Sequence, residues 1–292
     1  MQQKITPNLW FDGNAKEAVD FYVAVFPESR ILTTSHYPQS VDKGLAEFQL
    51  PLAGKELFIE FELGGLKLGA INAGPEFKPN PSISFFVYFK PEDRASLDRL
   101  WEKLLEGGVA LMPLQAYPFS PYYGWVQDRY GISWQLNLAA EFRARLVPSL
   151  MFTQAQSRRA EEAMRFYSSI FQDSQVGNLA RYPQEAGPMA GAVMYGEFQL
   201  AGQPFAAMDV GQEHGFSFNE GVSLSISCRD QAEIDHFWSK LSTVIQAEQC
   251  GWCKDAYGVS WQVVPENMGE LMQRPDAFAR MMEMKKLVIA DF

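Results

Sequence analysis

The 292-residue chain has few of the residues that cross-link small proteins or bind metals. It contains three cysteines and three histidines, which are Cys228, Cys250, Cys253, His36, His214 and His236. An odd number of cysteines confined to the second half does not support a disulfide framework. No apolar segment of the kind found in secretory leaders precedes Ile5, so the sequence predicts a cytoplasmic protein. The segment Cys250-Gly-Trp-Cys253 has redox or zinc spacing, but without a second ligand pair we interpret its cysteines as ordinary strand residues.

The sequence also lacks net positive charge and long apolar runs. Its 25 Lys and Arg residues face 35 Asp and Glu residues, which gives a formal charge of −10. Such a charge repels phosphate backbones, and the basic residues are dispersed, so we expect no nucleic-acid partner. No apolar run approaches the roughly 20 residues that a membrane-spanning helix needs. The sequence therefore predicts no membrane partner.

The sequence does contain an internal duplication. Colinear blocks match between residues 5–137 and residues 147–265: 7–11 with 148–152, 17–22 with 162–167, 37–38 with 182–183, 61–63 with 198–200, and 124–135 with 251–262. The last pair is the longest, since Gly-Trp-x-x-Asp-x-Tyr-Gly-x-Ser-Trp-Gln occurs in both halves. Chance does not produce five colinear matches, so the two halves share one fold.

Hydrophobic periodicity divides each half into two units of one strand, one helix and three strands. In the first unit the helix has an apolar face that includes Phe21, Tyr22 and Phe26, and strand-like runs follow, one of them at Ala46–Leu50. A proline-rich stretch at Met112–Pro121 has no counterpart in the second half, and we interpret it as an inserted loop. Its aromatic side chains either cover a pocket or contact the other domain.

These features resemble one known group of proteins. The βαβββ order, the Phe-Tyr at the end of the first helix and the Asp-x-Tyr-Gly turn before a Trp-Gln strand are similar to the PhnB-like branch of the vicinal-oxygen-chelate, or glyoxalase/bleomycin-resistance, superfamily. That branch also carries the name 3-demethylubiquinone 3-methyltransferase domain. The second half is the closer match, because Phe216-Ser-Phe-Asn-Glu220 is replaced by Phe77-Lys-Pro-Asn-Pro81 in the first.

The resemblance implies an α+β fold in which tandem βαβββ modules form two glyoxalase-like domains with cup-shaped mixed sheets. We expect these domains at residues 1–140 and 146–265, followed by a helical C-terminal tail at 266–292 that packs on the other domain or on a partner subunit. Relatives with a single domain commonly pair by exchanging modules. The duplicated chain is therefore expected to form an internal pseudo-dimer, and a homodimer through the tail stays open.

In the superfamily, enzymes hold a divalent metal in the cup with His and Glu from the first and last strands. Here neither first strand contains a histidine, and Gln135 and Gln262 occupy the last-strand position of the glutamate. A neutral amide is a weaker ligand than a carboxylate for a hard or borderline cation. We therefore predict no metal and no cofactor.

Two functional classes remain. The first is a metal-free protein that binds a small molecule in its cup. The alternative is an enzyme acting on a small organic substrate. It would be a lyase, isomerase or dioxygenase, or the methyltransferase that the branch name implies. The candidate acid-base groups are Asp209, Glu213, His214 and Glu220. The chain lacks the glycine-rich strand-to-helix turn against which nucleotide-type methyl donors usually bind, so whether it is an enzyme stays open.

Six residues are the candidates for ligand binding: Gln262, Trp252, Gln135, Trp125, Asp209 and Glu220. Side chains alternate between the faces of a strand, so Ser133, Gln135 and Asn137 point to one face and Trp134 to the other. We expect the first set to face the cup and Trp134 to be buried in the core. Asp128 and Asp255 begin Asp-x-x-Gly turns, and we interpret both as structural.

Overall fold

The computed structural model describes residues 3–45, 47–211 and 214–292, which fold into four successive modules. Module 1 contains β1 (Ile5–Phe11), α1 (Ala15–Val25), β2 (Ser29–His36), β3 (Glu56–Leu63) and β4 (Leu66–Asn72). Module 2 contains β5 (Ile83–Phe89), α2 (Arg94–Leu105), β6 (Val109–Tyr117), β7 (Ser120–Gln127) and β8 (Ser133–Leu138). Module 3 contains β9 (Leu146–Phe152), α3 (Ala160–Ile170), β10 (Gln175–Arg181), β11 (Val193–Leu200) and β12 (Gln203–Asp209). Module 4 contains β13 (Val222–Cys228), α4 (Gln231–Leu241), β14 (Trp252–Lys254) and β15 (Ser260–Pro265).

The modules combine into two mixed sheets, and each sheet takes one module from each half of the chain. Sheet A joins modules 4 and 1 in the order β14-β15-β13-β1-β4-β3-β2. Sheet B joins modules 3 and 2 in the order β10-β11-β12-β9-β5-β8-β7-β6. The first strand of every module would be an exposed edge if the module stood alone. Antiparallel pairing of β1 with β13 and of β5 with β9 covers these edges. The expected exchange of modules within one chain is thus confirmed, whereas the domain bounds at 140 and 146 stay a prediction.

One face of each sheet packs against the helices. On this face the apolar side chains form one buried core that includes Leu9, Phe85, Trp134 and Trp261. The expected alternation in the last strand of each half is confirmed, since Trp134 and Trp261 are fully buried beneath the helices. We call the opposite face of each sheet its cup face.

A buried carboxylate joins the two modules of each half through this core. Asp128 accepts hydrogen bonds from the Tyr22 hydroxyl and the Trp134 indole through one oxygen, and from the backbone N–H groups of Tyr130 and Ile132 through the other. Asp255 makes the equivalent four bonds in the second half. The prediction that both aspartates are structural is confirmed.

Two loops cross where one half meets the other. The Asn80 amide donates to the backbone oxygen of Ser217, and the Asn219 amide donates to that of Lys78, each over 3.0 Å. A Cβ atom at Gly221 would lie 2.3 Å from the Lys78 oxygen, so glycine allows this close approach. The Phe-x-x-Asn segments noted in both halves are therefore part of the crossing between modules.

Two expectations about local structure were wrong. Within the segment predicted as a strand at 46–50, the described residues belong to a 3-10 helix at Glu47–Leu52, whose Pro51 cannot donate to a sheet. The stretch at 112–121 is not a loop, because it forms most of the β6–β7 hairpin that turns at Pro118 and Phe119. Three shifts of register interrupt the pairing along this hairpin, which contains Pro113, Pro118 and Pro121.

The C-terminal tail packs on the first half of the chain. It contains the short helices α5 (Met268–Leu271) and α6 (Ala277–Glu283). Phe278 of α6 is buried in a cluster with Tyr37 and Leu45 of module 1. The tail also accepts hydrogen bonds from the backbone at Cys250 and Gly251, next to the edge strand β14. The expected contact with the other half is therefore confirmed. None of the helices in the described residues is long and apolar enough to span a lipid bilayer.

Candidate ligand-binding site on the cup faces

Three strands bring a group of polar side chains to the centre of the cup face of sheet A. Asn8 on β1 lies opposite Ser223 on β13 and beside Gly69 on β4. The amide of Gln262 on β15 donates a hydrogen bond to Ser223 Oγ over 2.9 Å. Both modules of sheet A therefore contribute to one polar centre, and the β1–β13 pairing is what joins them.

The oxygen of Asn8 is a buried acceptor that lacks a partner. Asn8 is 2% exposed, and its Oδ1 has no hydrogen-bond partner within the part of the chain that the structure describes. An unpaired buried polar group costs roughly 1 to 3 kcal/mol, so native proteins seldom keep one without a reason. A Cβ atom at position 69 would lie 2.1 Å from this oxygen and 2.4 Å from Phe58 Cζ. Glycine at 69 thus makes room for both groups.

Three aromatic rings stand beside this centre. Trp10 of β1 makes edge contacts with Phe77, at a centroid distance of 5.0 Å, and with Trp252 of β14, at 5.7 Å. The Trp10 indole donates to the backbone oxygen of Gly74 over 2.7 Å, which fixes its ring. Trp252 pairs with Gln262 across the β14–β15 ladder, so the indole and the amide lie on the same face. Trp252 is therefore not buried under a helix.

A partly buried ion pair lies two residues beyond Trp252. Lys254 Nζ lies 2.6 Å from Glu220 Oε1, and their side chains are 24% and 14% exposed. Lys254 follows Trp252 by two positions on β14, so it points to the same cup face. The pair thus adds charged groups of both signs at the rim of this site.

The cup face of sheet B carries an equivalent glutamine-serine hydrogen bond, with different neighbouring side chains. Gln135 donates to Ser84 Oγ over 2.6 Å and accepts from the Tyr123 hydroxyl over 2.6 Å. The Trp125 indole donates to Ser133 Oγ over 2.7 Å. Ser149, at the position equivalent to Asn8, is fully buried, and its Oγ is also without a partner among the described residues. Gln135 and Trp125 are thus held by internal hydrogen bonds.

Asp209 lies on the helix-facing side of sheet B. Its oxygens accept hydrogen bonds from the backbone N–H groups of Ala160, the first residue of α3, and Val193, each over 3.0 Å. Burial raises the pKa of this carboxyl despite these donors. Asn72 accepts from Ala15 at the start of α1 in the same way. Both side chains cap helices from a neighbouring strand.

The remaining candidate acid-base groups are not gathered into one cluster. Glu220 is paired with Lys254, and the His214 ring packs against Phe216 at a centroid distance of 5.1 Å. Glu213 lies outside the described residues. Across residues 3–45, 47–211 and 214–292, no group of three His, Cys, Asp or Glu side chains is placed to hold a metal ion. The central donors on the cup faces are neutral amides and hydroxyls, which do not fit a site for a divalent transition metal.

The Cys-x-x-Cys segment does not form a reactive pair. Cys253 is fully buried on the helix side of sheet A, and burial raises the pKa of its thiol well above the usual range. Cys250 adopts a positive φ of 50° outside the strand, and its Sγ lies 3.7 Å from Met282 Sδ. Burial also raises the pKa of Cys250. Raised thiol pKa values oppose both redox and metal chemistry.

The structure thus brings three of the six predicted residues together on sheet A, namely Gln262, Trp252 and Glu220. Gln135 and Trp125 meet on sheet B, and Asp209 joins neither group. Sequence reasoning did not name Asn8 or Trp10, although both belong to the block that repeats at 148–152. Their alternation with the buried Leu9 was the signal that could have found them.

Comparison with known proteins finds one family in both halves of the chain. The family model described as 3-demethylubiquinone-9 3-methyltransferase matches residues 3–137 and again residues 144–264. A PhnB protein from Bacillus cereus is 37% identical over 47% of this chain and 100% of its own, with a TM-score of 0.41. A protein from Staphylococcus aureus is 32% identical over 47% of this chain and 98% of its own, with a TM-score of 0.20. A search of curated protein sequences found no match.

The two halves together resemble one enzyme of similar length in fold. Glyoxalase I from Zea mays aligns with 92% of this chain and 94% of its own at a TM-score of 0.54, but with 10% identity. At that identity the likeness concerns the fold alone. Because the family model matches both halves and thus most of the chain, the protein belongs to the family described as 3-demethylubiquinone-9 3-methyltransferase.

Proposed function

We propose that this chain binds a small molecule on the cup face of sheet A, through hydrogen bonds and aromatic contacts and without a metal ion. The observation that carries the proposal is the buried, unpartnered Oδ1 of Asn8 at the centre of that face. A ligand with an N–H or O–H group would satisfy this oxygen and remove the cost of leaving it unpaired.

The surrounding side chains supply the rest of such a site. The Gln262 amide nitrogen donates to Ser223 beside Asn8, so its amide oxygen can accept a hydrogen bond from a ligand. Trp252 and Trp10 offer indole surfaces against which a flat, apolar part of the ligand can pack. A ligand with one polar edge and one ring fits this arrangement of a polar centre beside aromatic groups.

The duplication supplies matched controls for a binding experiment. Native mass spectrometry of freshly purified protein, followed by a thermal-shift screen of small polar aromatic compounds, identifies a ligand. Gln262→Ala and Trp252→Ala are expected to weaken its binding at least tenfold while the fold is retained. Gln135→Ala and Trp125→Ala make the same changes on sheet B and should leave the affinity unchanged. Unchanged affinity in Gln262→Ala and Trp252→Ala would place the site elsewhere.

The metal-free part of the proposal has its own test. The affinity of a site for a transition metal depends on several anionic or imidazole donors that converge with matched geometry. The centre of sheet A offers the neutral side chains of Asn8, Ser223 and Gln262 instead. After supplementation with Zn, Mn, Fe and Ni and removal of free ions, elemental analysis is expected to find far less than one metal per chain. A ratio near one would contradict the proposal.

A further inference from the structure

The connection between the two halves covers part of the cup face of sheet B. Residues 139–145 link β8 to β9, and the Phe142 ring in this connection stacks on Tyr88 of β5 at a centroid distance of 5.8 Å and an interplanar angle of 16°. A cavity of about 300 Å³ lies between the connection and strands β10, β11 and β12. This volume is at the lower end of the range for small-molecule sites.

Aromatic rings and two hydroxyls form one wall of the cavity. Tyr88 stacks on Phe86 at 5.7 Å, and Tyr195 of β11 meets Phe86 edge-on at 5.8 Å. The hydroxyls of Tyr88 and Tyr195 lie 3.2 Å apart. Burial raises the pKa of both phenols, and the neighbouring carboxylate of Glu197 raises each further. The hydroxyls therefore stay neutral, available as hydrogen-bond donors or acceptors.

The charged side chains at the cavity are mainly acidic. Glu141 and Glu197 line it with carboxylates, and Arg143 contributes one positive charge. These three groups leave a formal charge of −1 beside several aromatic faces. A carboxylate and the negative face of an aromatic ring both attract a cation.

We propose that this cavity is a second ligand site, for a small aromatic molecule that carries a protonated amine. Its ring packs against Tyr88, Phe142 and Tyr195, and its ammonium group lies near Glu197. The volume suits one or two fused rings. This site does not depend on the one proposed on sheet A, because the two sites lie on different sheets.

The cavity is a property of the duplicated chain. The family model leaves out residues 138–143, which include Glu141, Phe142 and Arg143. On sheet A the strand positions equivalent to Tyr88 and Tyr195 hold Ser227 and Phe58, so the hydroxyl pair is missing there. The residues that cover the cavity therefore lie outside the matched parts of the chain, and the pair of hydroxyls is confined to sheet B.

A matched series of indoles tests the ligand class on the full chain. Tryptamine, tryptophol and indole-3-propionate share a ring and differ in carrying a cationic, neutral or anionic side chain. Isothermal titration calorimetry is expected to show tryptamine binding at least about tenfold more tightly than tryptophol, the equivalent of about 1.4 kcal/mol, with indole-3-propionate weakest. Equal affinities for the three compounds, or no heat of binding with tryptamine at millimolar concentration, would overturn the proposal.

Substitutions locate the binding on sheet B. Glu197→Gln and Phe142→Ala should each weaken tryptamine binding about tenfold or more. Glu60→Gln changes the equivalent carboxylate on β3 of sheet A, and Phe119→Ala removes an aromatic ring at the exposed β6–β7 turn, so both should bind tryptamine as the parent chain does. Circular dichroism confirms folding of each variant. Unchanged binding in Glu197→Gln, or equal losses in Glu197→Gln and Glu60→Gln, would refute this site without affecting the result for Trp252→Ala.

Discussion

The Tyr22 hydroxyl donates a hydrogen bond to Oδ2 of Asp128 over 2.8 Å, and thereby joins helix α1 of module 1 to the turn before β8 of module 2. Tyr167 and Asp255 make the same bond in the second half over 2.7 Å. All four side chains are buried, and each bond links two modules that belong to different sheets.

Removing either hydroxyl is expected to destabilise the fold. Tyr22→Phe and Tyr167→Phe should each lower the free energy of unfolding by about 1.5 to 3 kcal/mol, the usual effect of losing a hydrogen bond to a charged group. Tyr117→Phe is the control, because that hydroxyl donates to the Pro113 backbone oxygen at an exposed position and its loss should cost less than about 0.5 kcal/mol. Urea denaturation measures all three. A cost for Tyr22→Phe no larger than that for Tyr117→Phe would contradict this assignment.

The buried aspartates also predict a dependence of stability on pH. Burial raises the pKa values of Asp128 and Asp255 in the folded state, although four donors face each carboxyl. The folded state then keeps these protons to a higher pH than the unfolded state does. The stability that this contributes to the fold is complete below the unfolded pKa of about 3.9, and it is lost as the pH rises through the pKa of the folded state.

Asp128→Asn removes one of these titrating groups. The difference in free energy of unfolding between the parent chain and Asp128→Asn should therefore shrink as pH rises from about 4 to 7. Urea denaturation across this range measures the difference. A difference that grows with pH would show that the four hydrogen bonds outweigh burial and lower the pKa.

The unpartnered hydroxyl of Ser149 predicts that its removal will not destabilise the fold. Ser149→Ala removes a buried oxygen without a partner in the described residues, so stability should stay unchanged or rise by up to about 1 kcal/mol. Ser84→Ala removes the acceptor of the Gln135 amide on the neighbouring strand and should cost about 1 to 3 kcal/mol. Thermal and urea unfolding compare the two variants. A larger loss in Ser149→Ala than in Ser84→Ala would mean that Ser149 has a structural partner.

Two of the three cysteines, Cys228 and Cys253, should react slowly in the native state. Burial raises the pKa of Cys228 to about 12 and that of Cys253 further, so both are protonated and inaccessible at neutral pH. Labelling with a thiol reagent at pH 8 should modify Cys228 and Cys253 only after unfolding. Rapid native modification of Cys253, or a disulfide between Cys250 and Cys253, would restore the redox interpretation of this segment.

The sequence could predict which residues face the cup because that information is local. Side chains alternate along every strand, so the repeated Ser-Trp-Gln pattern places Gln135 and Gln262 opposite the buried tryptophans whatever the rest of the chain does. The Asp-x-x-Gly turns were equally readable, since aspartate bonds the backbone within its own turn. At Met112–Pro121, however, the prolines and the missing counterpart in the second half indicated a loop, whereas pairing of β6 with β7 makes a hairpin.

The duplication and the faces of the two Ser-Trp-Gln strands were thus determined by the sequence alone, whereas the composition of each site was decided by the tertiary structure. Gln262 and Trp252 meet Asn8 and Trp10 only because β13 pairs with β1, more than 200 residues earlier in the chain. Phe142 stacks on Tyr88 and lines one cavity with Tyr195 only because the connection folds back over sheet B. Backbone hydrogen bonds hold β13 against β1, and such bonds do not depend on the identity of the side chains. No local pattern in the sequence therefore records which modules share a sheet.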